Sequence, residues 1–191
     1  MTPPLLVFWS KMIYFSSDFH FNHNREFIYN ARGFDSIQEH DNAIIDNIND
    51  IVRKNDDLYF LGDFGLGSDD DYLVRCMERI NCNIKFVRGN HDSDKRVDAY
   101  GSCRNFEYLG YADTVKDGKW EFFLCHYPAA VNPEDTDHFR KSKHFCLCGH
   151  THTKYDCVDM SIGAYNVGID AHMRPISIEE VKYCISFYKN C

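Results

Sequence analysis

The sequence predicts an α/β fold: one domain in which two mixed β-sheets pack face to face with helices outside. Three observations predict it. Up to residue 87, apolar runs alternate with amphipathic stretches in the order βαβαβ, which implies a parallel sheet with right-handed crossovers. From residue 106 the runs become β-rich, with an Asp117-Gly118 signal for a tight hairpin. The chain has 191 residues, 44% of them hydrophobic and 15% aromatic, enough for one sizeable core and little more.

The elements follow in order. Pro3 to Trp9 is apolar but too short to span a bilayer, and it lacks the basic leader and cleavage site of a signal peptide. Residues 1–11 read as an N-terminal extension, with Met12 a candidate functional start and residues 12–191 a single domain. Residues 12–17 form a buried strand. Residues 19–35 are polar and irregular. Ser36 and Glu39 make a capping box, and the helix after them carries Ala43, Ile44, Ile45, Ile48, Ile51 and Val52 on one face. Residues 58–61 are a second buried strand. A second helix runs from Asp69 to about Ile80, and a third strand occupies 84–87. A short helix is expected near 94–101. Residues 106–109, 114–115 and 120–125 are β-like. Residues 127–143 form a polar loop, 144–148 a strand, and 155–158 and 164–169 two candidate strands. Ser177 and Glu180 form a second capping box that opens a terminal helix.

Bulk properties narrow the function. The net charge of -8, from 29 acidic and 21 basic residues, disfavours a general nucleic-acid binder without excluding one, since bound cations would reverse the field at a carboxylate-rich site. Nothing in the pattern suggests a membrane partner. The nine cysteines include no CxxC pair, and several sit in apolar runs. They read as reduced thiols packed as small hydrophobes in a cytoplasmic protein, not as a zinc-thiolate site.

Five short stretches carry the chemistry: Asp18-Phe19-His20, Gly62-Asp63, Gly89-Asn90-His91-Asp92, His126, and Gly149-His150-Thr151-His152. Each follows an apolar run that reads as a strand. A chain that repeatedly delivers carboxylate and imidazole side chains to strand ends is most simply building a metal site. Gly62, Gly89 and Gly149 sit where the chain turns off a strand, where a positive φ is expected. Donors of this kind suit Mn, Fe, Zn or Ni better than Ca or Mg.

In order and spread, these stretches resemble the complete motif series of the calcineurin-like metallophosphoesterases over residues 12–170. The opening 12–23 and the late Asn166-Val-Gly-Ile-Asp170 resemble a compact bacterial and phage branch. The resemblance implies a four-layer αββα sandwich and two divalent ions, manganese foremost. Asp18, His20, Asp63 and His152 would hold the first. Asp63, Asn90, His126 and His150 would hold the second, with Asp63 bridging. It further implies that a metal-bridging hydroxide attacks phosphorus while His91 acts as general acid or phosphate donor. Asp92 would then orient His91 or raise its pKa.

The expected substrate is a small phosphoester, a phosphodiester ahead of a monoester, with nucleic acid less favoured. Asn22, His23 and Arg25 are candidate substrate contacts; for His23 a surface-loop role stands about even. For Arg25 and Arg32 a solvated face is the more usual fate, as it is for the basic run 138–144. The alternative is a non-catalytic metal-binding scaffold of the same fold. A retromer subunit of that kind lacks the catalytic histidine, which this sequence retains as His91.

Overall fold

The structure is a computed structural model that describes residues 11–129, 143–155 and 157–189. The first sheet is built from β1 (Ile13–Ser16), β2 (Asp57–Leu61), β3 (Asn83–Val87), β4 (Phe106–Gly110) and β10 (Ile176–Ser177), in the order β10-β1-β2-β3-β4. β1 to β4 run parallel, and β10 is an antiparallel edge. The second sheet is built from β5 (Ala112–Asp117), β6 (Trp120–Cys125), β7 (His144–Cys148), β8 (Val158–Asp159) and β9 (Ala164–Asn166), in the order β5-β6-β7-β9-β8. In it β6, β7 and β9 are parallel, with β5 and β8 antiparallel at the edges. The fold is thus α/β with two mixed sheets, as the sequence predicts.

The helices are α1 (Glu26–Tyr29), α2 (Ile37–Ile51), α3 (Asp70–Arg79), α4 (Asp94–Tyr100), α5 (Ile169–His172) and α6 (Ile178–Lys189). Strand alternation divides the core. From β2, Leu58 and Phe60 face the helices and pack with Ile44, Ile45 and Ile48 of α2 and Leu73 and Met77 of α3. Leu61 faces the other way, into a layer shared with Phe15, Val87, Phe122, Leu124, Phe145 and Leu147. In β7 the same alternation turns Cys146 and Cys148 away from that layer, where they pack with Ala164.

Two caps behave differently. At α6, Ser177 and Glu180 bond reciprocally: the Ser177 N–H donates to Glu180 Oε2 at 3.0 Å, and the Glu180 N–H donates to Ser177 Oγ at 3.3 Å. At α2, Ser36 Oγ accepts the Glu39 N–H at 3.2 Å, but the Glu39 carboxylate accepts from Asp35 N, one residue before the cap. The expected box is therefore only half closed. The Asp117-Gly118 hairpin is present, with Asp117 opposite Trp120 and Gly118 at φ +59°.

Two expectations are corrected. The stretch 19–35 is not irregular throughout: it holds α1 and a 3₁₀ turn, Asn30–Arg32, which ends on Gly33 at φ +87°. Elements this short show no apolar period in sequence. The strand expected over 164–169 stops at Asn166, because Asn166 Oδ1 accepts the Gly168 N–H at 2.7 Å and turns the chain into α5. The extension 1–10 and most of the basic run, 138–142, lie outside the described residues.

Candidate metal centre

Because β1, β2 and β3 are parallel, Asp18, Asp63 and Asn90 leave the first sheet at one edge. The parallel β6, β7 and β9 likewise end together and deliver His126, His150 and Asp170. Backbone bonds fasten the two sets of loops. Asp18 N donates to Gly62 O at 3.0 Å, His20 N to Asp63 O at 3.1 Å, and Gly149 N to His126 O at 3.0 Å, while Ser17 bridges Gly168.

These loops are strained. Among the described residues, seven non-glycine residues have positive φ, and five of them are expected ligands: Asp18, His20, Asp63, His150 and His152, with Asn22 beside them. Side chains rarely adopt this conformation, and where they do it clusters at functional sites. The glycines act otherwise than expected. Of the three singled out, only Gly62 has positive φ, +87°. Gly89 and Gly149 are needed for space: a Cβ on Gly89 would strike Asp63, and one on Gly149 would strike Ser17 and Asp18.

Two groups of donors converge. Asp18, His20 and His152 bring ligand atoms within 4.8 Å of one another, and so do Asp18, Asp63 and His126. Asp63 Oδ2 also stands 4.0 Å from His20 Nε2 and 3.9 Å from His91 Nε2. The donor set fits cations. His126 Nδ1 donates to Leu61 O at 2.8 Å, so its Nε2 points at Asn90 Oδ1 at 3.0 Å and Asp63 Oδ2 at 3.4 Å. A proton on Nε2 satisfies both oxygens, and a cation in that proton's place would do the same with the Nε2 lone pair as a third donor. His152 Nδ1 donates to Asp170 at 2.7 Å, so its Nε2 faces inward, 3.2 Å from His20 Nε2. Outward hydrogen bonds on the second ring nitrogen are how metal-binding imidazoles are held.

The electrostatics agree. Burial pushes the His20 imidazole down to about 2, so it is neutral and free to ligate. Burial alone would raise the Asp63 carboxyl, but the hydrogen bond and charge of His126 outweigh it and hold the group at about 2. Burial raises Asp18 instead, against the lowering influence of His126.

His150 sits beside these groups and outside both, its ring edge-on to His126 at 5.1 Å and to Tyr127 at 4.7 Å. His91 is half-buried and pinned at both ends of its peptide. Its N–H donates to Asp63 Oδ1 at 2.8 Å, and its carbonyl accepts from Arg96 at 2.8 Å. Asp92 does not turn toward the His91 ring. Its buried carboxylate accepts the N–H groups of Asp63, Phe64 and Gly89 at 2.7, 3.1 and 2.9 Å, joining the β2 and β3 loops. The expectation that it orients the imidazole directly is corrected accordingly: it fixes the loop that carries His91. Burial raises its own carboxyl to about 6.

Of the candidate substrate contacts, His23 lies 5.6 Å from the His20 ring. Burial lowers its pKa. Asn22 packs its amide against Gly67, and Arg25 is exposed on α1's flank.

Sequence reasoning missed a second layer. Arg32 is buried, not solvated. It makes a bidentate pair with Asp170 at 2.9 and 2.7 Å, donates to the carbonyls of Asp18 and Phe19 at 2.8 Å each, and meets His40 Nε2 at 2.8 Å. His40 continues to Asp41, which also accepts from Asn22 N and Tyr72. This chain of bonds ties α2 and α3 to His152. Its only signal in sequence was Asp170 within the stretch Asn166 to Asp170.

Comparisons agree with the geometry. A 30% identical relative, an uncharacterised protein of Methanocaldococcus jannaschii, aligns over 176 residues, 88% of each chain. The gene 66 protein of Mycobacterium phage L5 is 25% identical over 88% of this chain and 91% of its own. A solved structure of a protein of unknown function from Aquifex aeolicus superposes with a TM-score of 0.68 at 24% identity, covering 91% of this chain and 99% of its own. The calcineurin-like phosphoesterase superfamily domain matches residues 12–179, and the chain belongs to that superfamily.

Proposed function

We propose that this protein is a dinuclear-metal-dependent phosphoester hydrolase that favours phosphodiesters over monoesters. The observation that carries the reading is the convergence of Asp18, His20, Asp63, His126 and His152 with their lone pairs inward, and His91 on the rim. Asp18, His20 and His152 hold one cation, with Asp63 reaching toward it. Asp63, Asn90 and His126 hold the other, with His150 completing it from beside His126. When bound, the ions supply an activated water near neutral pH and neutralise charge on the phosphoryl oxygens.

The chain's own residues do the rest. Asp63, fixed by the His91 N–H and kept ionised, sets the spacing between the two halves of the site. His91 faces the phosphoryl group and gives its proton to the leaving oxygen. Asp92 holds the two loops at constant separation, so the imidazole and the metal ligands keep register. Manganese is the favoured metal, with iron, zinc or nickel compatible with the same donors. Residues 12–191 act as one catalytic domain. Cys76, Cys82, Cys146 and Cys148 are buried as small hydrophobes, which supports the reading of a protein kept in a reducing cytoplasm. Among the described residues, no helix is long and apolar enough to cross a membrane.

The test is hydrolysis of bis-p-nitrophenyl phosphate with added manganese. Asp63→Ala should abolish turnover. His91→Ala should keep its metal and lose about 10²–10⁴ in kcat, the usual worth of a general acid. Equal rates in all three proteins, or no turnover by the metal-loaded wild type, would contradict the reading.

A further inference from the structure

Against the metal centre lies a cavity of about 280 Å³. Phe27, Ile28 and Ala31 line it from α1 and the turn after it, and His152 and Lys154 line it from the loop after β7. His152 belongs to both places: its Nε2 faces the metal ligands, and its ring walls the cavity. A group in the cavity is therefore next to whatever is bound at the centre.

Three features define what fits. Phe27 is 69% exposed, unusual for so large an apolar ring, and His23 meets it at 5.6 Å with the planes 87° apart. A perpendicular contact of this kind leaves at least one face of the Phe27 ring uncovered by His23. Arg32 and Asp170, which also touch the cavity, neutralise one another as a bidentate pair and offer no free charge. Lys154 spans the cavity to donate to Ala31 O at 2.8 Å, which places one cation at its rim. A flat apolar wall with a single positive rim suits a planar ring carrying oxygen or nitrogen acceptors. A bare alkyl chain would leave the lysine unused, and the side chains of Phe27, Ile28 and Ala31 offer a second phosphate no donor.

We propose that this cavity binds the planar aromatic group of a phosphoester, a nucleobase or an aryl ring, against the face of Phe27 while the phosphorus sits at the metal centre. The assignment rests on the phosphoesterase reading for its choice of ligand, and it predicts a ring-bearing substrate class.

The experiment is calorimetric titration of the manganese-loaded protein with phosphonates, which have no ester to hydrolyse. The ligands are ethylphosphonate, benzylphosphonate, and the AMP analogue with methylene in place of the 5′ oxygen. The wild type should bind at least one ring-bearing ligand about tenfold more tightly than ethylphosphonate. Phe27→Ala should erase that preference, the loss expected on removing a stacking partner. Tyr183→Ala, an exposed aromatic on α6, should leave it intact.

Loss confined to the AMP analogue identifies a nucleobase, and loss confined to benzylphosphonate identifies an aryl group. No ring preference in the wild type, or a preference that survives Phe27→Ala, overturns the proposal. Phe27-dependent ring binding in a protein that hydrolyses no phosphodiester would remove the hydrolase reading and leave the cavity assignment standing.

Discussion

Arg32 shows what a single side chain can hide in a sequence. Beside Gly33 in a polar stretch it reads as a solvated charge, yet its side chain is 2% exposed and makes five hydrogen bonds. No local pattern announces this, because the partners Asp18, Phe19, His40 and Asp170 are brought to it only by folding. Breaking a buried pair leaves a charge uncompensated, so Arg32→Ala should destabilise the protein by about 3–5 kcal/mol in denaturant unfolding. Asp170→Asn is the gentler probe. Burial would raise the Asp170 carboxyl, but the Arg32 hydrogen bond and His152 hold it well below the carboxylate range, so it is an anion that fixes the His152 tautomer. Its removal should weaken metal affinity by about 10–100-fold in a chelator competition, with the fold retained. An unchanged affinity would mean that His152 is oriented by other contacts. The donors that converge, Asp18, His20, Asp63, His126 and His152, were legible as a set, since Asp and His at strand ends have few structural reasons to recur. Asp92 was legible as part of the site and not in its role, because a carboxylate that joins two backbone loops looks in sequence like one that orients its neighbour.

At the scale of the element, periodicity found what was long enough to have a period. The strands β1 to β3 and the helices α2 and α3 follow from apolar spacing, while the four-residue α1 and the two-residue β10 do not. The Ser177–Glu180 cap was legible because both partners lie within one turn. It also carries a pH signature. The Arg174 and Ser177 hydrogen bonds hold the Glu180 carboxyl at about 2, against an ordinary value of 4.5. A depressed carboxylate pKa stabilises the fold above the unfolded value and loses that contribution as pH falls. Stability should therefore decline between about pH 4.5 and 2, and Glu180→Gln should lack that part of the decline when acid unfolding is followed by circular dichroism. The loop glycines give a second test. Gly149→Ala would drive a methyl group into Ser17 and Asp18, so it should lower both the melting temperature and the metal content. A variant that keeps full metal content would show that the β7 loop relaxes freely, against the tight approach seen here.

Over the whole molecule, two sheets end their parallel strands at one edge, and that edge gathers every residue with a proposed chemical role. The class of fold and the location of the site follow from sequence because strand order fixes both. The cavity beside Phe27 does not, because it depends on how α1 and the 151–155 loop face each other. The most direct measurement is an anomalous difference map from a crystal of this protein grown with manganese. The account predicts two peaks, one among Asp18, His20 and His152 and one beside Asp63 and His126, roughly 3.5–4 Å apart as in two-metal sites. A map with no peak there, or with manganese bound only elsewhere, would contradict it.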